Sequence, residues 1–273
     1  MAIIAQDTTT GRASEGGHWY SQDGNPCYEI RAKGNGLMRP VTLRDARPLG
    51  LVPGVSTIAG MEAKPALVKW MVEQALMSAL TLPRIPNEAE EAFMARARED
   101  SQQQAKKAAE RGTQIHAALQ GHFEGAPTAA DDIPYVMPVV AWLKQRYGEP
   151  ALPYEAEHSF AHPLGFGGKS DLINRSIPLV ADFKVKDFDE KKQAKDLAYP
   201  EHASQLAAYR DGFRLPKAQC INIFVSSRVP GLIRVREWDE AEVVDAWECF
   251  RCLLRLWQLR KGYNSAFSLE QAA

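Results

Sequence analysis

Several features are missing from this 273-residue sequence, and each absence narrows what the protein can be. No run of about 18 apolar residues occurs, so we expect no membrane-spanning helix and no membrane partner. The N-terminus shows no basic segment followed by an apolar one, so we expect a cytoplasmic protein rather than a secreted one. The net charge is −1, which argues against a basic coat for nucleic acid but not against an enzyme with a basic groove.

Cysteine is also scarce, with four residues in the chain: Cys27, Cys220, Cys249 and Cys252. In a long cytoplasmic chain such thiols are expected to be free and buried rather than joined in disulfides. Cys249 and Cys252 fall in a predicted amphipathic helix, where a thiol packs as a small apolar group.

The composition suits one large domain. Hydrophobic residues make up 45% of the chain, which is enough for a full core. Residues 1–17 are polar and rich in Gly, Ser and Thr, and we expect them to be flexible. Residues 18–273 are expected to form a single domain, in which a largely helical part (about 55–150) overlaps an α/β core (about 110–261).

Helical patterns dominate the first half. A proline in its first turn marks a helix that begins near Pro65 and runs through Leu76. Residues 87–123 are rich in strong helix formers and are expected to form two helices that split or kink near Gly112. A further helix is expected over 136–147.

Strands and helices mix in the second half. Strands are expected over 154–161, 167–174, 179–185, 218–226 and 232–238. A helix over 201–213 separates the third strand from the fourth, and a helix over 241–261 closes the chain with Val244, Phe250 and Trp257 along one face. This order predicts the α/β class: a central mixed sheet flanked by helices, with the helical first half walling a cleft.

Two neighbouring predicted strands each carry an aspartate. Asp171 ends Gly168-Lys-Ser-Asp171, and Asp182 begins Asp182-Phe-Lys184 directly after the apolar run 177–181. Lys184 shares a strand face with Asp182, because strand side chains alternate. Carboxylates are hard ligands that suit Mg²⁺ or Mn²⁺, and burying one without a partner is costly. The pattern therefore predicts metal-dependent phosphodiester cleavage, with the Lys184 ammonium near the reacting phosphate.

Two helical motifs flank this pair. His116 ends Arg111-Gly-Thr-Gln-Ile-His116, and a later helix carries Gln205-Leu-Ala-Ala-Tyr209, whose end residues share a helix face. Each motif alone is weak, since a lone helix histidine is more often a core or surface residue. Four motifs in this order, each on the expected kind of element, form a specific signal.

In these four motifs the chain resembles the RecB-like branch of the PD-(D/E)XK nucleases. Residues 112–116, 168–171 and the helix start Pro65-Ala-Leu67 are most similar to its phage-type and mitochondrial genome-maintenance-type exonucleases. The resemblance covers about residues 110 to 226, and its looser layout about 55 to 260. It implies a restriction-endonuclease-like core. The chain departs from the family name in having Ala181 where a proline precedes the second acid.

The resemblance also implies roles for the site residues. Asp171 and Asp182 would be the main ligands of one or two Mg²⁺ or Mn²⁺ ions, with the backbone carbonyl of Phe183 completing the shell. His116 would be a further metal ligand or would orient one. Lys184 would position or deprotonate the attacking water and stabilise the charge on phosphorus.

Five more residues are candidates for support or DNA contact. Gln205 and Tyr209 would brace the site and touch the DNA backbone; the alternative is that they are simply core and cap residues. Arg111 and Thr113 could bind phosphate or lie on a solvated helix face. Lys186 begins a basic run beside the catalytic strand, which could contact DNA or remain a solvated loop.

The expected function is a DNA exonuclease in recombination, repair or DNA-end processing, in the cytoplasm of a bacterium or a phage-infected host. Its partner is the DNA end, single- or double-stranded, with a single-strand annealing or recombination protein as a second candidate. Some RecB-like nucleases hold an iron–sulfur cluster, but the cysteine spacing here does not match and no cluster is expected. The alternatives are a structure-specific or restriction-type endonuclease and a DNA-binding relative that has lost cleavage.

Overall fold

The computed structural model describes residues 17–32, 34 and 36–267, so nearly all of the segment expected to be flexible, 1–17, lies outside the described residues. The strands are β1 (Trp19–Tyr20), β2 (Glu29–Arg31), β3 (Met38–Pro40), β4 (Val52–Pro53), β5 (Glu155–His162), β6 (Phe166–Asn174), β7 (Leu179–Lys186), β8 (Gln219–Ser226) and β9 (Ile233–Trp238). The helices are α1 (Leu43–Leu49), α2 (Val55–Ala59), α3 (Pro65–Thr81), α4 (Glu90–Phe123), α5 (Ile133–Tyr147), α6 (Ala194–Leu197), α7 (Pro200–Gly212) and α8 (Glu240–Lys261).

A five-stranded mixed sheet forms the centre of the fold, in the order β5-β6-β7-β8-β9. β7 and β8 are parallel, because α6 and α7 carry the chain back between them, and the other neighbours are antiparallel. Helices cover both faces, so the predicted α/β class with a central mixed sheet is confirmed.

The alternation of side chains along the strands builds a separate core on each face of the sheet. On one face Val180 packs with Leu206 of α7 and Phe250 of α8. On the other face Leu172 packs with Ile115 of α4, together with residues of α5. The central strands are apolar on both faces for this reason, and a charged side chain among them needs compensation.

One expectation about the helical half is wrong. α4 is a single helix of 34 residues that does not split at Gly112. A glycine inside a helix costs only about 1 kcal/mol relative to alanine. Ile115 and Leu119, which follow it, are fully buried against the sheet and hold the helix in register.

The segment before α3 braces the central sheet. β1 pairs with β4, and Gly54 forms a bridge to Gly167 of β6. Trp19 packs edge-on against Trp257 of α8, with ring centroids 6.1 Å apart.

The buried face of the closing helix α8 differs from the predicted one at a valine and at two cysteines. Val243, not Val244, is buried together with Phe250 and Trp257. Cys249 and Cys252 are exposed, so the expectation that they are buried is wrong. Across the described part of the chain, none of the helices combines the length and apolar character needed to cross a membrane.

Candidate active site

β6 and β7 stop pairing at the two aspartates. The last paired residues are Leu172 and Ala181, so Asp171 and Asp182 come next on each strand, where the ladder ends. Side chains take over the hydrogen bonds there: the Phe183 N–H donates to Asp171 Oδ2 at 2.6 Å. The strands therefore separate just where the two carboxylates stand.

Asp171 belongs to a group that could hold a metal ion. His116 Nε2 lies 3.1 Å from Asp171 Oδ2, which reaches α4 from the gap between the strands. Glu157 of β5 joins them, and one ligand atom from each of the three residues lies within 4.8 Å of the others. Two carboxylate oxygens and an imidazole at this spacing suit a divalent cation, whose ligands stand about 2.0–2.6 Å from it.

The protonation of His116 bears on that fit. Asp171 accepts a hydrogen bond from the imidazole and raises the pKa of His116, and this effect outweighs burial. A histidine must be neutral to bind a metal ion, so an ion at this place would displace the proton.

Sequence analysis missed Glu157. The β5–β6 register pairs Ala156 with Leu172 and His158 with Ser170, which sets Glu157 opposite Asp171. Its backbone has a φ of 51°, a left-handed conformation that non-glycine residues seldom adopt. Outliers of this kind cluster at functional sites, where the surroundings hold them. The only signal in the sequence is an acidic residue on the preceding strand, and its meaning depends on the register.

Asp182 is almost fully buried, with 2% of its surface exposed. Lys184 Nζ lies 2.9 Å from Asp182 Oδ2, and Asn222 Nδ2 donates to the same oxygen at 2.8 Å. Burial raises the pKa of Asp182 to about 6, and the nearby Asp171 adds to this while Lys184 opposes it. Asp182 is outside the group of three possible metal ligands formed by His116 and its neighbours.

Asn222 was also missed by the sequence analysis. It lies beside Asp182 in the parallel β7–β8 register and is fully buried. Trp238 Nε1 donates to Asn222 Oδ1 at 2.8 Å, which leaves the amide nitrogen directed at Asp182. A polar residue inside the apolar strand β8 is the signal that could have identified it, because buried polar groups need partners.

Lys184 is held from two sides. Besides Asp182, its ammonium donates to Gln205 Oε1 at 3.0 Å, and Gln205 Nε2 donates to the Tyr209 hydroxyl at 2.8 Å. Burial acts to lower the pKa of Lys184, but Asp182 and Asp171 outweigh it and raise that pKa. The structure thus brings together the lysine and both α7 residues that the sequence singled out.

Gly168 leaves room for this arrangement. A Cβ at Gly168 would lie 2.8 Å from Cε1 of Tyr209, closer than atoms pack. Gly168 and Tyr209, which belong to two different motifs, therefore pack directly against each other. Tyr209 is buried, and it fixes Gln205 beneath the lysine.

The remaining candidates contact the protein itself. The Arg111 guanidinium lies 4.6 Å from the centre of the Tyr135 ring, and the Thr113 hydroxyl donates to the Ala109 carbonyl at 3.0 Å. Lys186 Nζ donates to the Leu197 carbonyl at 2.7 Å. These contacts neither require nor exclude DNA, so the DNA-binding roles of Arg111, Thr113 and Lys186 stay predictions.

A groove of about 500 Å³ runs between α4 and β7 and opens onto the site. Gly112, Thr113, His116 and Gln120 line it from α4, and Phe183 and Lys184 line it from β7. We call it the α4–β7 groove. It offers a ligand direct access to both His116 and Lys184.

Comparison with known proteins finds only distant likenesses. No protein-family model matches the chain, and no curated protein matches it either. The chain is similar to an alkaline exonuclease (LHK-Exo) from Laribacter hongkongensis, with 15% identity, 78% of this chain and 91% of that chain covered, and a TM-score of 0.37.

Two further solved structures are similar at the same level. One is LHK-Exo in complex with dAMP, with 13% identity, 69% of this chain and 88% of that chain covered, and a TM-score of 0.31. The other is a candidate exonuclease from Eubacterium rectale, with 14% identity, 56% of this chain and 68% of that chain covered, and a TM-score of 0.38. Likenesses this distant do not assign a function to the present chain.

Proposed function

We propose that this chain is a Mg²⁺- or Mn²⁺-dependent deoxyribonuclease of the RecB-like PD-(D/E)XK kind, acting as an exonuclease. The observation that carries the proposal is the convergence of Asp171, Asp182 and Lys184 where β6 and β7 separate. His116 and Glu157 stand beside them with ligand atoms at metal-binding spacing. The motifs that suggested the family are far apart in the sequence and meet at this one place.

The residues present suit a divalent cation. His116, Glu157 and Asp171 would hold one ion, and Asp182 with the Phe183 carbonyl would supply ligands for the same ion or a second one. When bound, the ion supplies Lewis-acid chemistry for the phosphate and lowers the pKa of a coordinated water. Oxygen-rich sites favour Mg²⁺ and Mn²⁺ over softer metals, which is why we name these two.

Lys184 supplies the positively charged side chain of the proposed active site. Its ammonium is anchored by Asp182 and Gln205, so it points at the groove without rotamer freedom to lose. Held there, it can position the attacking water and offset negative charge as it builds on the phosphate. Gln205 and Tyr209 keep it in place.

The exonuclease assignment depends on the shape of the approach. The α4–β7 groove has a volume of about 500 Å³, and its α4 wall belongs to the helical half of the chain. Such an approach favours a strand end over the middle of a duplex. The biological setting that fits is processing of DNA ends in recombination or repair.

The test is digestion of end-labelled linear DNA and closed circular DNA, each single- and double-stranded, with Mg²⁺, Mn²⁺ or EDTA. We expect metal-dependent loss of linear DNA, no reaction in EDTA and intact circles. Cleaved circles would favour the endonuclease alternative. DNA binding without any cleavage would favour the inactive relative.

A pair of variants connects the activity to the site. Asp182→Asn should abolish cleavage and weaken Mn²⁺ binding in calorimetry, because the neutral amide is a poorer ligand than the carboxylate. Asp187→Asn is the matched control: Asp187 follows the same strand but is exposed and paired with Arg228. Unchanged cleavage in Asp182→Asn, or equal losses in both variants, would refute the site.

A further inference from the structure

Gly112 lies inside α4, and the fold does not explain why it is glycine. The backbone φ angle of Gly112 is not positive, so no left-handed conformation requires glycine at this position. Outside its own helix, the one described atom within 4 Å of an added Cβ would be Val185 Cβ at 3.8 Å, an ordinary contact. Alanine would fit there and is the better helix former. By contrast, a Cβ at Gly167 would lie 2.8 Å from the Tyr20 side chain, so the fold requires that glycine.

The position of Gly112 suggests what the missing methyl group makes room for. Gly112 comes one turn before His116 on the same helix face, and both residues line the α4–β7 groove together with Lys184. Among the described residues that line this groove, none is acidic. The groove lining itself therefore sets no negative charge against a polyanion, and bare helix backbone forms part of its floor. The carboxylates of Asp171 and Asp182, which contact His116 and Lys184, belong to the proposed metal site.

We propose, on the basis of the proposed nuclease function, that the α4–β7 groove binds the sugar–phosphate backbone of one DNA strand next to the scissile phosphate, with Gly112 at the point of closest approach to α4. A volume of about 500 Å³ suits a short segment of a single strand. Thr113 and Gln120 flank this path and present polar side chains to it. Gly112 is in this sense a residue that sets the path of the strand, not a catalytic one.

Gly112→Ala tests the proposal, because the added methyl group should stabilise the helix and obstruct binding of the DNA strand. We expect a higher melting temperature and unchanged Mn²⁺ affinity in calorimetry. We also expect Kd for a fluorescent single-stranded oligonucleotide, measured with Ca²⁺ in place of Mg²⁺, and KM for its digestion to rise about tenfold or more, since overpacking a contact is costly. The kcat should change less than about twofold, because the reacting groups are untouched.

Gly121→Ala is the matched control in the same helix. A Cβ there would meet Ala126 Cβ at 3.7 Å, a similar contact, and Gly121 is not among the residues lining the groove. It should bind and digest the oligonucleotide as the wild type does.

The possible outcomes distinguish failure of this proposal from failure of the proposed nuclease function on which it rests. If the wild type neither binds nor cleaves DNA, the nuclease function fails and the strand path with it. If the wild type cleaves but Gly112→Ala matches it in Kd and KM, the strand path alone is overturned. A lower melting temperature, a lower Mn²⁺ affinity or a fall in kcat with KM unchanged would also overturn it, because each would place the added methyl group against the protein or the chemistry.

Discussion

The carboxylate of Asp182 depends on its neighbours for its charge. Lys184 and Asn222 both donate to it in a place that water hardly reaches. A carboxylate stays ionised there only if such donors compensate for lost hydration. Asn222 is fixed in turn by the indole of Trp238, so the orientation of Asp182 is set by a strand and a ring remote in sequence.

Asn222→Ala should weaken Mn²⁺ binding about tenfold, since partners that orient ligands typically contribute this much. It should also lower the free energy of unfolding by about 1–3 kcal/mol, because Asp182 and the Trp238 indole each lose a partner. Calorimetric titration with Mn²⁺ and denaturant unfolding measure the two effects.

Asn174→Ala is the control for that prediction. Asn174 is also fully buried in the sheet, but it donates to the carbonyls of Leu152 and Pro153, away from the site. It should lose stability and keep its Mn²⁺ affinity. If both variants lose the same affinity, Asn222 has no specific role in orienting Asp182.

Among the elements, α7 links the core to the site. Its buried face packs on the sheet while Gln205 reaches Lys184. Near its start, the Tyr199 N–H donates to His202 Nδ1. Burial, with the positive charges of Lys184 and Lys186 in support, lowers the pKa of His202 to about 3. The imidazole is therefore neutral in the folded protein under most conditions.

This histidine makes the fold sensitive to acid. Its pKa in the unfolded chain is about 6.5 and is lowered on folding, so its contribution is complete above pH 6.5 and is lost as the pH falls toward 3. Between pH 8 and pH 5 the loss should reach about 2 kcal/mol. Denaturant unfolding of the wild type and of His202→Gln at both pH values measures it.

Glutamine suits this comparison because it can accept the same backbone hydrogen bond near a helix start. The wild type should lose more stability than His202→Gln on going to pH 5, since all other titratable groups are common to both. Parallel losses would show that His202 does not cause the acid sensitivity.

The five central strands and the longer helices were predicted from the sequence, but the short elements β1 to β4, α1, α2 and α6 were not. The predicted strands over 167–174 and 179–185 lie within a residue of the observed ones, because apolar runs bounded by turns are local signals. The predicted break at Gly112 is wrong, because packing of the residues that follow outweighs a weak local preference. Val243 and Val244 are chemically identical neighbours, and the packing of α8 against the rest of the fold, chiefly α7 and α2, decides which is buried.

At the scale of the whole molecule, the N-terminal segment and the last helix share one core. Trp19 packs against Trp257, and Arg47 donates to the carbonyls of Lys261 and Gly262 at the end of α8. The bridge from Gly54 to Gly167 ties the same segment to β6, the strand that bears Asp171. A substitution that destabilises this core should therefore also destabilise the N-terminal segment next to β6.

Trp257→Ala should lower the free energy of unfolding by about 3–5 kcal/mol, as expected for removing a large buried aromatic side chain. It should also speed amide hydrogen exchange at Tyr20 and Val52, which the β1–β4 ladder protects. Leu259→Ala, at a site 62% exposed on the same helix, should change neither. Faster exchange confined to α8 would contradict the shared core.

By itself, the sequence determined the five strands of the central sheet, the longer helices and the acid–acid–lysine pattern, because periodicity and adjacency at a strand end are properties of short segments. The tertiary structure alone decided that Glu157 stands opposite Asp171 and that Asn222 holds Asp182. Both pairings follow from the register and order of strands up to 40 residues apart. Register is set when whole faces are buried against helices, so no local pattern contains it.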